Sequence, residues 1–269
     1  MKLSFVKACA LGNDFVILNG NEIEGLSLDK FSNKIADRRY GVGCDQVIYV
    51  YETEHAEVFK IRFFNSDGSE AESCGNGSRC VSKMLMNKYN LSKVILETLA
   101  GRIECQHNDE DQIKVIYPQL ICTINSQLPF NHGRAFKTVR VNIGNPHLVF
   151  FIKESFDNRI HLSEDHFDSI IFQQFNVGFA QILSSQEIAL TVIERGSGLT
   201  PACGTGACAS AFGAYALGFV DREVQVIQKG GNLKVQLQND HIALFGEALL
   251  IYKGEFPIDQ NRVKFSSLS

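Results

Sequence analysis

The chain repeats itself. Gly12-Asn13 returns as Gly144-Asn145 at an offset of 132, and Gly41–Val47 is echoed by Asn176–Ile182 at 135. Cys74-Gly75-Asn76-Gly77 returns as Cys203-Gly204-Thr205-Gly206 at 129, and Ala100-Gly101-Arg102-Ile103 as Gly230-Gly231-Asn232-Leu233 at 130. Four anchors in one order, at nearly constant spacing, confine 269 residues to two homologous halves. Each half is then about 120 residues, an ordinary size for a unit with its own core.

Hydrophobic periodicity fills in the halves. In the first, strands are expected at 2–7, 16–18, 47–51, 59–64, 94–98, 102–106 and 112–117. A helix capped by Ser27 or Asp29 runs to about Arg38, with Phe31, Ile35 and Ala36 on one face, and a second covers Cys80–Lys88. In the second half, strands are expected at 137–142, 148–152, 176–182 and 187–193, with a helix near Ser163–Phe172. The small-residue run Ala209–Val220 reads as a helix apolar all round, and such a helix must be buried. The fold class is therefore α+β: two pseudo-symmetric halves, each a barrel-like antiparallel or mixed sheet around a central helix. The expected boundaries are 1–118, a crossover at 119–135 marked by Pro129, Asn131 and Gly133, and 136–253, with the tail 254–269 returning to the first half.

The strongest chemistry lies in the duplicated cysteine motif. A Gly-rich turn feeding a helix leaves backbone N–H groups unpaired at the positive end of the helix dipole. A cysteine there has its thiolate stabilised, and the glycines let a ligand approach the backbone closely. Nine positions before each cysteine, a β-rich run ends on a polar residue, Asn65 in one copy and Glu194 in the other. One such cysteine alone reads better as a small buried hydrophobe, as most free cysteines are. Two matched copies suggest one site with two faces, a thiolate removing a proton from a carbon while a thiol on the opposite face returns one. Donors at two helix N-termini would hold the carboxylate on which charge builds.

Other classes fit less well. The net charge is −4 and no Lys/Arg run is longer than Arg38-Arg39, so a nucleic-acid footprint is missing and a small molecule is the expected partner. The longest apolar stretch is about half the roughly 20 residues of a membrane helix, so no membrane partner is expected. Lys7 and Asn13-Asp14 interrupt any signal-like apolar segment, which points to the cytoplasm. Eight cysteines in so long a chain read as thiols, with Cys9, Cys44, Cys80, Cys105, Cys122 and Cys208 assigned to packing. The spacings C-x5-C and C-x4-C do not match paired zinc hooks, so no metal is expected.

Six motifs in order carry a resemblance over essentially the whole chain: Leu11-Gly12-Asn13-Asp14-Phe15, Gly41-Val42-Gly43-Cys44-Asp45-Gln46, Asn65-Ser66-Asp67-Gly68, Cys74 to Cys80, Gly144-Asn145-Pro146-His147, and Glu194-Arg195 through Cys203 to Cys208. Together they resemble the diaminopimelate epimerases. The resemblance implies a cofactor-independent epimerase interconverting LL- and meso-diaminopimelate for lysine and peptidoglycan precursor synthesis. It implies Cys74 as proton donor in the LL-to-meso direction and Cys203 as acceptor. Gly75-Asn76 and Gly204-Thr205 would hold the reacting carboxylate, and Asn13, Gln46, Asn65, Asn145, Asn176, Glu194 and Arg195 the rest of the substrate. His147 and Glu194 would tune the thiols. The oligomeric state stays open between monomer and homodimer. Cys9-Ala10 departs from the His-Gly pair common in that family, at the edge of the cleft. The rival readings are another two-thiol amino-acid racemase or isomerase on the same fold, and a thiol redox or zinc-binding module. Against the first stands Glu194-Arg195, a clamp that a mono-carboxylate would leave unused.

Overall fold

The chain enters its fold through a hairpin. In the computed structural model, which describes residues 2–23, 25–108, 112–118, 121–124, 135–152, 169–195 and 198–258, β1 (Lys2–Ala10) and β2 (Asn13–Asn19) are antiparallel with Ala10 opposite Asn13. Only Leu11 and Gly12 join them, with φ of 52° and 87°. A two-residue turn with both φ positive matches the twist of paired strands, and here it sets Asn13 at the first position of β2.

The chain divides into two units, residues 1–113 with 247–269, and residues 114–246. In the first, α1 (Leu28–Ala36) precedes β3 (Gln46–Glu52), which runs parallel to β2. Next come β4 (Val58–Asn65), antiparallel to β3, the short β5 (Glu70–Ala71), and α2 (Gly75–Tyr89). β6 (Lys93–Thr98) is parallel to β4, and β7 (Gly101–His107) returns antiparallel to β6. Phe15 to Leu18 are all buried, an uninterrupted run that suits a strand covered on both faces. Val16 and Leu18 join the cluster containing Phe31, Ile35 and Ala36 of α1, with Val47, Tyr49 and Phe64. On the opposite face Phe15, Ile48 and Phe63 pack against Gly77 of α2, where an added Cβ would lie 3.0 Å from the Phe63 ring.

The second unit repeats this order. It contains β8 (Ile113–Pro118), β9 (Ile121–Ile124), β10 (Ala135–Asn142), β11 (Pro146–Ile152), α3 (Ser169–Gln174), β12 (Asn176–Ser184), β13 (Glu187–Glu194) and β14 (Gly198–Thr200). α4 (Gly204–Ala216), β15 (Glu223–Gln228), β16 (Gly231–Leu237) and β17 (His241–Gly246) complete it. β11 is parallel to β12 as β2 is to β3, and β13 is parallel to β15 as β4 is to β6. Leu148, Phe150 and Phe179 are buried together with Ile171 and Phe172 of α3 packed on them. α4 touches β10, β11, β12, β13, β15, β16 and β17, so its Ala207, Ala209, Ala211 and Ala214 are all buried, as an all-round apolar helix requires. A last strand, β18 (Leu249–Pro257), pairs antiparallel with β1. α2 touches β1, β2, β3, β6, β7 and β18, which curve round it as an open sheet and not a closed barrel.

Several expectations need correcting. The two units divide at 113/114 and 246/247, beside the expected bounds of 118 and 253; β8 bonds to β17, and β18 bonds to β1 with a register shift at Ile251. The segment expected as a bare crossover, 119–135, contains β9, whose residues Ile121–Ile124 pair with Asn142–Val139 of β10. Gly254–Pro257 pair with β1 and Ile258 joins the first unit's core, while 259–269 lie outside the described residues. Both long helices begin at the glycine after the cysteine, so α2 starts five residues before Cys80. α4 stops at Ala216, short of Val220, because Gly218 takes φ +75° and breaks the helical path. Of the helix expected near 163–172, residues 163–168 lie outside the described residues and α3 covers Ser169–Gln174.

Candidate active site

Each unit gathers its polar strand ends at the N-terminus of its buried helix. In the first unit, parallel pairing sets Phe15 beside Gln46, and antiparallel pairing sets Gln46 opposite Asn65. The start of β2, the start of β3 and the end of β4 therefore share one edge of the sheet, bringing Asn13, Gln46 and Asn65 to that edge. Gln46 Nε2 donates to Asn65 Oδ1 at 2.8 Å, and Asn65 Nδ2 donates to Ser69 Oγ at 3.0 Å. Asn76 Nδ2 donates to Asn13 Oδ1 at 2.7 Å, tying the first turn of α2 to the hairpin.

Cys74 is the N-cap of α2, with extended φ and ψ of −145° and 114°, and its Sγ accepts from Gly77 N–H at 3.3 Å. An acceptor at this position satisfies one of the unpaired donors of the first turn. Cys74 is half-buried, and Gly75 and Asn76 beside it are buried. Sequence reasoning overlooked the groups that hold these residues. Buried Arg79 donates to Asn76 Oδ1 at 2.7 Å, to Gly75 O at 3.3 Å and to Glu247 O at 3.2 Å. Asn13 Nδ2 donates to Asp45 Oδ2 at 3.3 Å, and Asp45 and Asp14 share Arg38 while Lys7 Nζ meets Asp14 at 2.6 Å. Burial raises the Asp14 carboxyl, but hydrogen bonds and charge from Arg38 and Lys7 outweigh it and hold the group well below the usual carboxylate range.

The second unit follows the same plan with more side-chain bonds. Cys203 is the N-cap of α4, at φ −128° and ψ 115°, and Gly206 N–H donates to its Sγ at 3.4 Å. The Cys203 thiol donates to Glu194 Oε2 at 3.2 Å and lies 3.5 Å from Thr205 Oγ1. Thr200 Oγ1 donates to the other Glu194 oxygen at 2.6 Å. Burial pushes the Cys203 thiol well above its ordinary value and the Glu194 charge pushes it further, opposed by the donors Thr205 and Gly206. Burial also raises the Glu194 carboxyl, against hydrogen bonds from Thr200 and Cys203. Cys44, Cys80 and Cys105 are likewise thiols pushed up to about 12 by burial.

Around this thiol the remaining expected residues assemble. Asn145 Nδ2 donates to Thr205 Oγ1 at 3.3 Å, and its Oδ1 lies 3.1 Å from His147 Nε2. Because Asn145 Oδ1 accepts, His147 carries its proton on Nε2, leaving buried Nδ1 without a partner among the described residues. Complete burial pushes His147 down to about 3, so its ring is neutral at physiological pH. Asn176 pairs with His147 across β11 and β12, and its Oδ1 accepts from the Arg195 backbone N–H at 2.9 Å. Gly204 and Thr205 are buried in the first turn of α4, while Arg195 is exposed. Asn13 and Asn76 thus meet in one unit, and Asn145, His147, Asn176, Glu194, Arg195, Cys203 and Thr205 are linked in the other.

A buried capping thiol, with a carboxylate or amide edge beside it and the positive end of a helix below it, can move a proton at a carbon next to a carboxylate. The diaminopimelate epimerase family profile matches residues 5–118 and 139–251. The chain is 36% identical to the diaminopimelate epimerase of Carboxydothermus hydrogenoformans, over 94% of this chain and 99% of that protein. It is 35% identical to that of Halothermothrix orenii, over 97% and 100%, and 34% identical to that of Rickettsia massiliae, over 96% and 99%. Among solved structures, a Bacillus anthracis phenazine biosynthesis protein of the PhzF family aligns with a TM-score of 0.70 at 16% identity, over 96% of this chain and 100% of that one. A hydroxyproline epimerase from Agrobacterium vitis aligns at 0.67 and 13%, over 97% and 94%. At such identities these two show a common fold. With both repeats matched by one profile and near-complete coverage of its curated relatives, the chain belongs to the diaminopimelate epimerase family.

Proposed function

We propose that this protein interconverts LL- and meso-diaminopimelate by a two-base reaction in which Cys74 and Cys203 act on opposite faces of one α-carbon, without a cofactor. The observation that carries the reading is the recurrence of the thiol: each unit caps its buried helix with a cysteine whose Sγ accepts from the glycine three residues on. In the LL-to-meso direction the Cys203 thiolate takes the α-proton, and the electron pair left on carbon delocalises into the α-carboxylate. The N–H groups of Gly75-Asn76 and Gly204-Thr205 stabilise that charge. Cys74 then gives its proton to the opposite face, ending as thiolate while Cys203 ends as thiol. The reverse reaction uses the same groups with protonation exchanged. Asn13, Gln46, Asn65, Asn145 and Asn176 orient the substrate. Arg195 pairs with the distal carboxylate and Glu194 with an ammonium, while His147 and Glu194 set the state of Cys203.

The product serves lysine and peptidoglycan precursor synthesis in the cytoplasm. No helix among the described residues is long and apolar enough to cross a membrane. The partner is the small-molecule substrate. A homodimer belongs to the same reading, with the exposed Leu249, Ile251 and Tyr252 of β18 as its contact, and a monomer mass in sedimentation removes it.

Deuterium labelling tests the reaction. In D2O, meso product formed from LL substrate in the first few per cent of conversion carries deuterium at the inverted carbon, while recovered LL substrate carries almost none. Comparable early deuterium in both would sink the paired-thiol mechanism. Cys74→Ala and Cys203→Ala each abolish turnover and the double variant is little worse, whereas Cys80→Ala remains active.

A further inference from the structure

Gln228 is the last residue of β15, a strand whose inward positions are otherwise apolar: Val224 and Val226 are fully buried and Gln228 is 7% exposed. Its Oε1 accepts from the Cys203 backbone N–H at 2.8 Å. Its Nε2 is buried with no partner among the described residues. A buried amide that leaves a donor unsatisfied costs stability, so a leucine would suit the core better unless the other end of the amide is needed.

The repeat shows what is special here. In both units the turn after this strand clamps the segment leading into the helix by a backbone bond, Ala100 N–H to Glu72 O at 3.2 Å and Gly230 N–H to Pro201 O at 2.8 Å. In the second unit a side chain joins this clamp, Gln228 Oε1 accepting from the Cys203 N–H. The counterpart of Gln228 is Thr98, the last residue of β6, and its hydroxyl is bonded within its own turn to Gly101 O at 2.8 Å. Cys203 is thus held from both sides: its N–H by Gln228, and its Sγ by Gly206 N–H and Glu194.

We infer that Gln228 is a positioning residue for Cys203, holding the capping backbone in the geometry that lets Gly206 N–H support the thiolate. The inference rests on the reading of Cys203 as an acid/base group. With the Oε1 acceptor gone, the N-cap relaxes, the long Sγ contact from Gly206 weakens and the thiolate loses a donor, so its protonated form is favoured. Gln228 touches no substrate, and the loss falls on proton transfer more than on binding.

The test compares wild type with Gln228→Met and Gln228→Leu. In the LL-to-meso direction, where Cys203 is the base, the acidic limb of the kcat/KM profile moves up by about one pH unit, kcat falls about tenfold below the limb, and KM stays within twofold. Melting temperature changes little, because the orphaned Gln228 Nε2 is removed while the Cys203 N–H is left without its acceptor. A packing residue would do the reverse, lowering stability and leaving the limb in place, and that result overturns the inference. A second measurement needs no variant: in hydrogen exchange on the wild type, the Cys203 amide is protected like the α4 core, and fast exchange there overturns the clamp. Failure of the two-thiol reading itself would show separately, as turnover by Cys203→Ala.

Discussion

Glu194→Gln tests the proposal that the second unit makes a base from a buried thiol. Cys203 Sγ and Glu194 Oε2 lie 3.2 Å apart. Two full charges at that separation, in an effective dielectric of about 20, repel by about 5 kcal/mol, which disfavours the doubly ionised pair by a factor of several thousand. Burial raises both groups as well. Around neutral pH the pair therefore holds one proton, titrating as a unit. It can sit on sulfur, as in the thiol donor seen here, or pass to the carboxylate and leave a thiolate. Gln keeps the size of the side chain, but it has a single acceptor oxygen for the two donors Thr200 and Cys203, and its NH2 can only donate, so it cannot take the proton. The thiolate must then form by losing its proton to solvent. Removing a positioned proton acceptor costs 10² to 10⁴ in rate, and we expect about 100-fold in kcat/KM at pH 7–8, with the acidic limb of the LL-to-meso profile displaced by more than one unit to higher pH. The assay is initial-rate stereoisomer analysis from pH 6 to 10. An unmoved limb with kcat within threefold of wild type would refute the shared-proton argument, and a rise confined to KM would reassign Glu194 to the substrate ammonium alone.

Arg195→Ala removes the expected partner of the distal carboxylate and should cost about 2–5 kcal/mol in kcat/KM for diaminopimelate; wild-type kinetics would make Arg195 a surface charge. Gly213→Ala places a Cβ 2.5 Å from Val139 Cγ2, so urea unfolding should show a net loss of about 1–2 kcal/mol, the overpacking strain partly offset by better helix propensity, with kcat of the folded protein unchanged. Acid destabilisation should come in two stages. His147 takes a proton near 6.5 when unfolded but only at about 3 when folded, so its contribution is full above pH 6.5 and is lost as pH falls through that window. Asp14, depressed when folded, contributes fully above its unfolded value near 3.8 and loses that contribution only at lower pH. His147→Leu should remove the first stage from a melting-temperature profile and leave the second, and an unaltered profile would contradict the burial of a neutral ring.

The duplication and the glycine spacing determined much of this protein without coordinates. A cysteine, a glycine and a second glycine two residues later specify a capped helix start through local backbone geometry, so Cys74 and Cys203 were legible, and so was the burial of α4 from its lack of a polar face. The strand ends carrying Asn13, Gln46, Asn65, Asn176 and Glu194 were legible because strand periodicity is local too. Tertiary structure decided what depends on partners distant in sequence. β18 joins β1 from the far end of the chain, and β9 appears inside a segment that looked like plain linker, since four residues become a strand only when a neighbour supplies the other half of the ladder. Arg79, Asp45, Thr200 and Gln228 support the site through bonds whose reach is set by strand register and helix position, not by their own neighbourhoods. Gln228 did leave a trace, a polar residue on the inward parity of an alternating strand, but a buried amide is informative only once its bonding partner is known. Local sequence marks the two helix-capping thiols; long-range packing sets which groups bond to them.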